Sequence, residues 1–156
     1  MPRLATLPQI QRTMLTTRAV EIHDSAPWAK LRRPLPESTL AIVTSAGLHL
    51  RGDAPFGRED PTYRIIPSSA GAADILQSHS SLAFDKTPFS RDVNIVFPVD
   101  RLAEYVAEGR IGRLGPHHYS VMGALPDVTR VRDQTAPELA ARLLDDGVDV
   151  VLLTPT

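Results

Sequence analysis

The 156-residue chain contains no cysteine. That excludes a disulfide framework, a thiolate nucleophile, a cysteine-based zinc site and iron–sulfur ligation from these residues. Long apolar runs are missing too. The longest clear one, Val150 to Leu153, is a strand's worth, far short of the roughly 18–20 residues a membrane helix needs. No continuous hydrophobic segment near the N-terminus precedes a small-residue cleavage site, so no secretory signal is expected. Neither sign of charge dominates: 17 Lys and Arg face 18 Asp and Glu, a net charge of −1. A general nucleic-acid binder usually carries a basic excess, so that class is disfavoured. Familiar catalytic and nucleotide-binding devices are absent as well. There is no G-x-G-x-x-G, no G-x-x-x-x-G-K-[ST], no G-x-S-x-G elbow and no H-E-x-x-H.

What is present describes an ordinary globular chain. Hydrophobic residues make up 42% and charged residues 22%, and the length suits one domain with a real core. The expectation is a soluble, single-domain, cytoplasmic protein. Fourteen prolines are about twice the usual share, and they fall in connecting segments. Residues 1–36 carry six basic and two acidic groups, and the remainder eleven and sixteen. A basic arm on an acidic body suggests a subunit contact or a solvated tail.

Residues 1–38 read as that arm. Leu7, Ile10, Met14 and Leu15 fit one or two amphipathic turns, and Pro27, Pro34 and Pro36 keep the chain extended past Trp28 and Leu35. The body, 39–156, opens on Thr39–Thr44, an apolar run ending in Ser45-Ala-Gly47, as a buried parallel strand would. Residues 48–92 are rich in glycine and proline and form a long, functional loop region. Within it Thr62–Ile66 fits a short strand and Ala70–Gln77 a short helix. Val93–Phe97 is expected as a second buried strand. Asp100 then caps a helix with Leu102, Tyr105 and Val106 on one stripe and Gly109 as its stop. Arg113–Ala124 includes a short extended piece. Thr135-Ala-Pro-Glu138 has the form of a capping box ahead of Leu139, Leu143, Leu144 and the terminator Gly147. Val148–Leu153 is the last buried strand. Strands alternating with helices point to an α/β domain on a parallel sheet, three-layered and Rossmann- or flavodoxin-like. Because no helix follows the last strand, one face of that sheet should be left bare.

Ligands in open α/β sheets bind at the carboxyl ends of strands. Thr44, Gly47 and His49 follow one such end, with His79, His118, Ser120 and Thr154 as further pocket candidates. Asp92 and Asn94 flank another element, where the carboxylate either orients a histidine or caps the loop. His23 and His117 complete the five histidines. Three roles stay open for imidazoles here: handling a substrate or its protons, binding a metal, or structural hydrogen bonding. No metal site is assigned, because no spacing of these residues supports three ligands.

Several blocks then fall in a familiar order. They are Ala41-Ile-Val-Thr-Ser-Ala-Gly-Leu-His49, Asp60-Pro-Thr-Tyr-Arg64, Ser78-His-Ser-Ser81 and Arg91-Asp-Val-Asn-Ile-Val-Phe-Pro-Val-Asp-Arg-Leu102. Ile111-Gly112, His118-Tyr-Ser-Val-Met-Gly123 and Asp146-Gly-Val-Asp-Val-Val-Leu-Leu-Thr-Pro155 complete the set. Over roughly residues 38–155 the chain resembles selenoprotein B of the glycine, sarcosine, betaine and D-proline reductase family. The resemblance implies reductive cleavage of a C–N bond in a small amine or amino acid. A selenocysteine or cysteine attacks the α-carbon while a partner subunit, bearing a pyruvoyl group, activates the amine. It implies no cofactor in this chain, and it sets the nucleophile just after Thr156, outside these residues. The chain is therefore expected to be the N-terminal part of a longer, amino-acid-reducing subunit, inactive alone. Its end would correspond to a UGA codon read as termination or to a cut. The alternative is a naturally short paralogue acting as a non-catalytic interaction module. The expected partners are a reductase subunit or a second copy held through the uncovered sheet, with neither nucleic acid nor membrane involved.

Overall fold

Thr39–Thr44 is strand β1, as the apolar run predicts, and it becomes the axis of the central sheet in the computed structural model. The structure describes residues 4–17, 29–81 and 85–156. Leu48–Leu50 (β2) pairs antiparallel with Ile75–Gln77 (β4) in a separate ribbon. Tyr63–Pro67 (β3) runs antiparallel to His117–Val121 (β6). Arg113–Leu114 (β5) and β6 lie parallel along one edge of β1. Val150–Thr154 (β7) runs parallel along the other, from Leu40 opposite Val150 to Thr44 opposite Thr154.

Alternation along the strands sorts side chains to two faces. On one, Leu40, Ile42 and Ile66 meet Leu48, Ile75, Val93, Val96, Phe97 and Leu102 in the main core. Leu102 belongs to helix Val99–Ala107, which follows the short helix Thr87–Arg91; these are α2 (87–91) and α3 (99–107), numbered after α1, Gln9–Thr17. On the opposite face Tyr63 and Tyr119 stack edge-on with centroids 6.1 Å apart. Their hydroxyls donate to Glu138 (2.6 Å) and Asp146 (2.9 Å), which belong to and immediately follow α4, Ala136–Asp145. Helices on both faces of a mostly parallel sheet make the three-layer α/β fold expected.

Five local expectations are corrected. Val93–Phe97 is not a strand: Val93–Ile95 forms a 3₁₀ turn that leads into α3. The Asp92 carboxylate accepts from the Asn94 amide and starts the turn. Burial then recurs at Val93, Val96 and Phe97 while Ile95 stays 57% exposed. That is helical spacing inside a run too short for its period to be read. Ala70–Gln77 is a 3₁₀ turn, Ala72–Asp74, followed by β4, because Ile75 faces the core while its backbone pairs with β2. Asp100 lies inside the first turn of α3 and not at its cap. Thr135–Glu138 is no capping box, since the helix begins upstream and Val131–Thr135 forms a π turn within it. The Thr135 hydroxyl donates instead to the Pro61 carbonyl at 2.6 Å. The wide turn precedes Pro137, whose ring removes one amide and crowds the carbonyl four residues back. Leu144 also departs from its expected stripe, at 68% exposed.

Two units are distinguished, Met1–Lys30 and Leu31–Thr156. Helix α1 in the first takes in Ile10, Met14 and Leu15, with Leu7 ahead of it, and Ile10 and Leu15 are exposed. His23, Pro27 and Trp28 lie outside the described residues. In the second unit Pro34–Ser38 packs under β5, the Leu35 and Ser38 carbonyls accepting from the Gly112 and Arg113 amides. No helix among the described residues is long and apolar enough to cross a membrane.

Candidate functional site at the strand ends

The carboxyl ends of β1, β6 and β7 meet on one edge of the sheet. Thr44 and Thr154 stand opposite each other in register. Both hydroxyls donate to the Val96 carbonyl, at 3.0 and 2.9 Å, so the turn before α3 is pinned beneath the strand ends. Ser45 carries the β1–β7 pairing one step further. Its amide donates to the Thr154 carbonyl at 3.2 Å and its hydroxyl accepts from the Thr156 amide at 2.9 Å. A cleft of about 160 Å³ opens here, walled by Val43, Val121 and Leu153 with Thr44, Ser45 and Thr154.

Behind the cleft the chain reverses at Gly47, whose φ of +65° favours glycine. A Cβ there would stand 3.2 Å from the His79 backbone, so the segment after β4 runs hard against this turn. Gly47 donates to the Val121 carbonyl and accepts from the Ser78 amide, which ties β6, the turn and that segment together. The Ser120 hydroxyl, fully buried, accepts from the Leu48 amide at 2.7 Å. Ser80 approaches the Met122 sulfur at 3.4 Å. His79 is 3% exposed and accepts from the Ser81 amide; burial, then the nearby Lys86 charge, hold its imidazole below the ordinary range. His49, 5% exposed, faces the Leu50 carbonyl with one ring nitrogen and the Ser78 hydroxyl with the other, each at 2.8 Å.

Two sets of expected pocket residues lie elsewhere. Asp92 and Asn94 form an exposed network at the start of α3, with Asn94 bonded to Asp92 and to Asp100. His118 is sealed inside the sheet, where β5 gives way to β6 across Gly115 and Pro116. There it fills a gap in the ladder: its Nδ1 accepts the Ile42 amide at 3.1 Å. The proton therefore sits on Nε2, which donates to Ser68 Oγ at 3.1 Å, and Ser68 in turn donates to the Gly115 carbonyl. Burial, with the neighbouring His117, pushes its imidazole down to about 4. So neutral and enclosed, it holds the strands together.

Sequence reading passed over Ser45, Ser78 and Met122 as site residues. Ser45 had a signal, lying directly after a buried strand; Ser78 had only its place in a serine-rich run. Among the described residues no group of three or more His, Asp or Glu side chains is arranged to hold a metal ion.

Comparison with known proteins identifies the family. The model of the glycine/sarcosine/betaine reductase selenoprotein B family matches residues 19–156. The chain is 35% identical over 128 residues to a D-proline reductase subunit gamma from Acetoanaerobium sticklandii, covering 81% of this chain and 52% of that protein. It is 32% identical over 137 residues to a glycine reductase complex component B subunit gamma from Carboxydothermus hydrogenoformans, covering 85% and 31%. A betaine reductase complex component B subunit beta from Peptoclostridium acidaminophilum is 26% identical over 133 residues, covering 80% and 29%. The chain thus spans about half the length of the first relative and under a third of the others. No solved structure matches it. With a family model matched from residue 19 to residue 156 over the whole α/β body, the chain belongs to the glycine/sarcosine/betaine reductase selenoprotein B family.

Proposed function

We propose that this chain forms the substrate-binding α/β portion of a cytoplasmic amino-acid reductase B subunit that cleaves a substrate C–N bond reductively. The observation that carries the reading is the convergence of the β1, β6 and β7 ends on one cleft in a chain of this family. Thr44 and Thr154 direct their hydroxyls to Val96, so the cleft presents apolar walls and the Ser45 hydroxyl. Such a site suits the methylene or ring carbons of a small amine. The nucleophile is a selenolate or thiolate that residues 1–156 do not contain; a partner subunit supplies the pyruvoyl group that activates the amine. This chain's own part is to bind and orient the substrate, and by itself it gives no turnover.

Titration of isotope-labelled protein with proline, glycine, sarcosine and betaine tests the reading. One of them should shift the amide resonances of Ser45, Val121 and Thr154 at millimolar concentration. Silence at those amides with all four substrates would refute substrate binding here. Dithiol-driven amine release by the purified chain would refute its inactivity.

A second reading is favoured by the sheet face opposite the core at β7, where Leu153 is 68% and Val151 36% exposed. That apolar strip suits a partner subunit or a second copy, and it makes an interaction module the competing description.

A further inference from the structure

The contact between His49 and Ser78 is not used by the proposed reductase chemistry, and its hydrogen-bond logic is constrained. The Leu50 carbonyl can only accept, so His49 Nδ1, 2.8 Å away, carries the proton. In the neutral ring Nε2 is then a bare acceptor, and the Ser78 hydroxyl 2.8 Å from it must donate. The oxygen of Ser78 is thereby aligned with a base that a third group holds in orientation, the arrangement that activates a serine. The pair sits on rigid supports. His49 lies within β2, and Ser78 directly follows Gln77, the β4 residue opposite Leu48. Burial separates the two: His49 is 5% exposed, while Ser78 is only partly buried.

We propose that Ser78 is an activated nucleophile with His49 as its general base, reactive toward acyl donors such as activated esters. In the acyl-transfer step Ser78 Oγ bonds to the carbonyl carbon, the alkoxide or phenolate leaves, and the hydroxyl proton passes to His49 Nε2. This is independent of the reductase reading, since it needs neither the strand-end cleft nor a selenol.

The test uses the whole 156-residue chain and a fluorophosphonate probe. Ser78 Oγ would bond to phosphorus, fluoride would leave, and the proton would go to His49. Tandem mass spectrometry then locates the adduct. Ser80 is an internal control two residues away, exposed and without an imidazole partner. The expected result is labelling of Ser78 at least ten-fold faster than Ser80, and at least ten-fold slower labelling of Ser78 in His49→Gln. No adduct at Ser78, equal labelling of the two serines, or an unchanged rate in a folded His49→Gln protein would each overturn the proposal. Because the serine comparison is made in the unaltered protein, it decides the matter even where His49→Gln fails to fold.

Discussion

His118 shows how one residue can be legible in type and illegible in role. A histidine in a glycine-bounded segment suggests proton handling, yet this one replaces a backbone acceptor inside the sheet. Replacing it leaves the buried Ile42 amide and Ser68 short of partners, and an unmet buried polar group costs about 1–3 kcal/mol. His118→Ala adds a cavity, so a total loss of roughly 2–5 kcal/mol is expected by urea denaturation. The pH dependence follows from the depressed folded value of about 4 against the ordinary 6.5. Between those limits the unfolded chain takes up a proton that the folded chain refuses, so stability falls as pH falls. The contribution is full above 6.5, lost progressively down to about 4, and constant below that, amounting to roughly 3 kcal/mol. Depression of His79 acts in the same direction. His118→Gln should flatten most of this slope in denaturation midpoints measured at several pH values. An undiminished slope would count against the enclosed-histidine account.

At the scale of elements, close backbone approach decides which substitutions the fold accepts. Gly112 leads into β5 under the Pro34–Ser38 turn, where an added Cβ would lie 2.8 Å from the Ser38 carbonyl oxygen and 2.9 Å from the Glu37 carbonyl carbon. Backbone cannot yield as a flexible side chain can, so Gly112→Ala should destabilise by about 1–3 kcal/mol. Gly57 has nothing within 4 Å of the same position, and Gly57→Ala should be neutral within about 0.5 kcal/mol. Thermal melts of the two variants side by side check the pair. The loop around Gly57 is held from elsewhere, by Arg64. Its guanidinium bonds the Ala54 and Pro55 carbonyls, pairs with Asp60 and lies 4.2 Å over the Phe56 ring. At Asp60 burial pushes the carboxyl up, but bonds from Thr62 and Arg64 outweigh it and hold it below the ordinary value. Arg64→Lys keeps the charge but loses the planar fork. It should raise protease sensitivity within residues 51–62 more than it lowers the global melting temperature.

For the whole molecule, the unequal covering of the two faces of the sheet matters most. The core face is closed by α3 and its preceding turn; on the other, α4 reaches Tyr63 and Tyr119 and leaves Leu153 exposed. If that strip seats a second copy, wild-type protein should show concentration-dependent association by light scattering. Leu153→Glu should then be monomeric at the same concentrations and unchanged in stability within about 0.5 kcal/mol, since the site is exposed. A wild-type protein that stays monomeric throughout would leave the strip to a partner subunit.

The sequence by itself determined the family, through the blocks between Ala41 and Pro155, and the α/β class, through β1, β7 and the helices at Leu102 and Leu139. These were readable because a long apolar period or a terminal glycine reports local energetics directly. Tertiary structure alone decided the rest. Val93–Phe97 is turned and not extended: Asp92 caps the Asn94 amide, and the core takes Val93, Val96 and Phe97 while Ile95 faces solvent, a division absent from the five letters themselves. Thr135 serves Pro61, 74 residues away, instead of its own helix. His118 was assigned to the sheet and His49 to Ser78 by which groups the folded backbone left needing a partner. Hydrogen-bond satisfaction in a buried place depends on the whole fold, and no local pattern carries it.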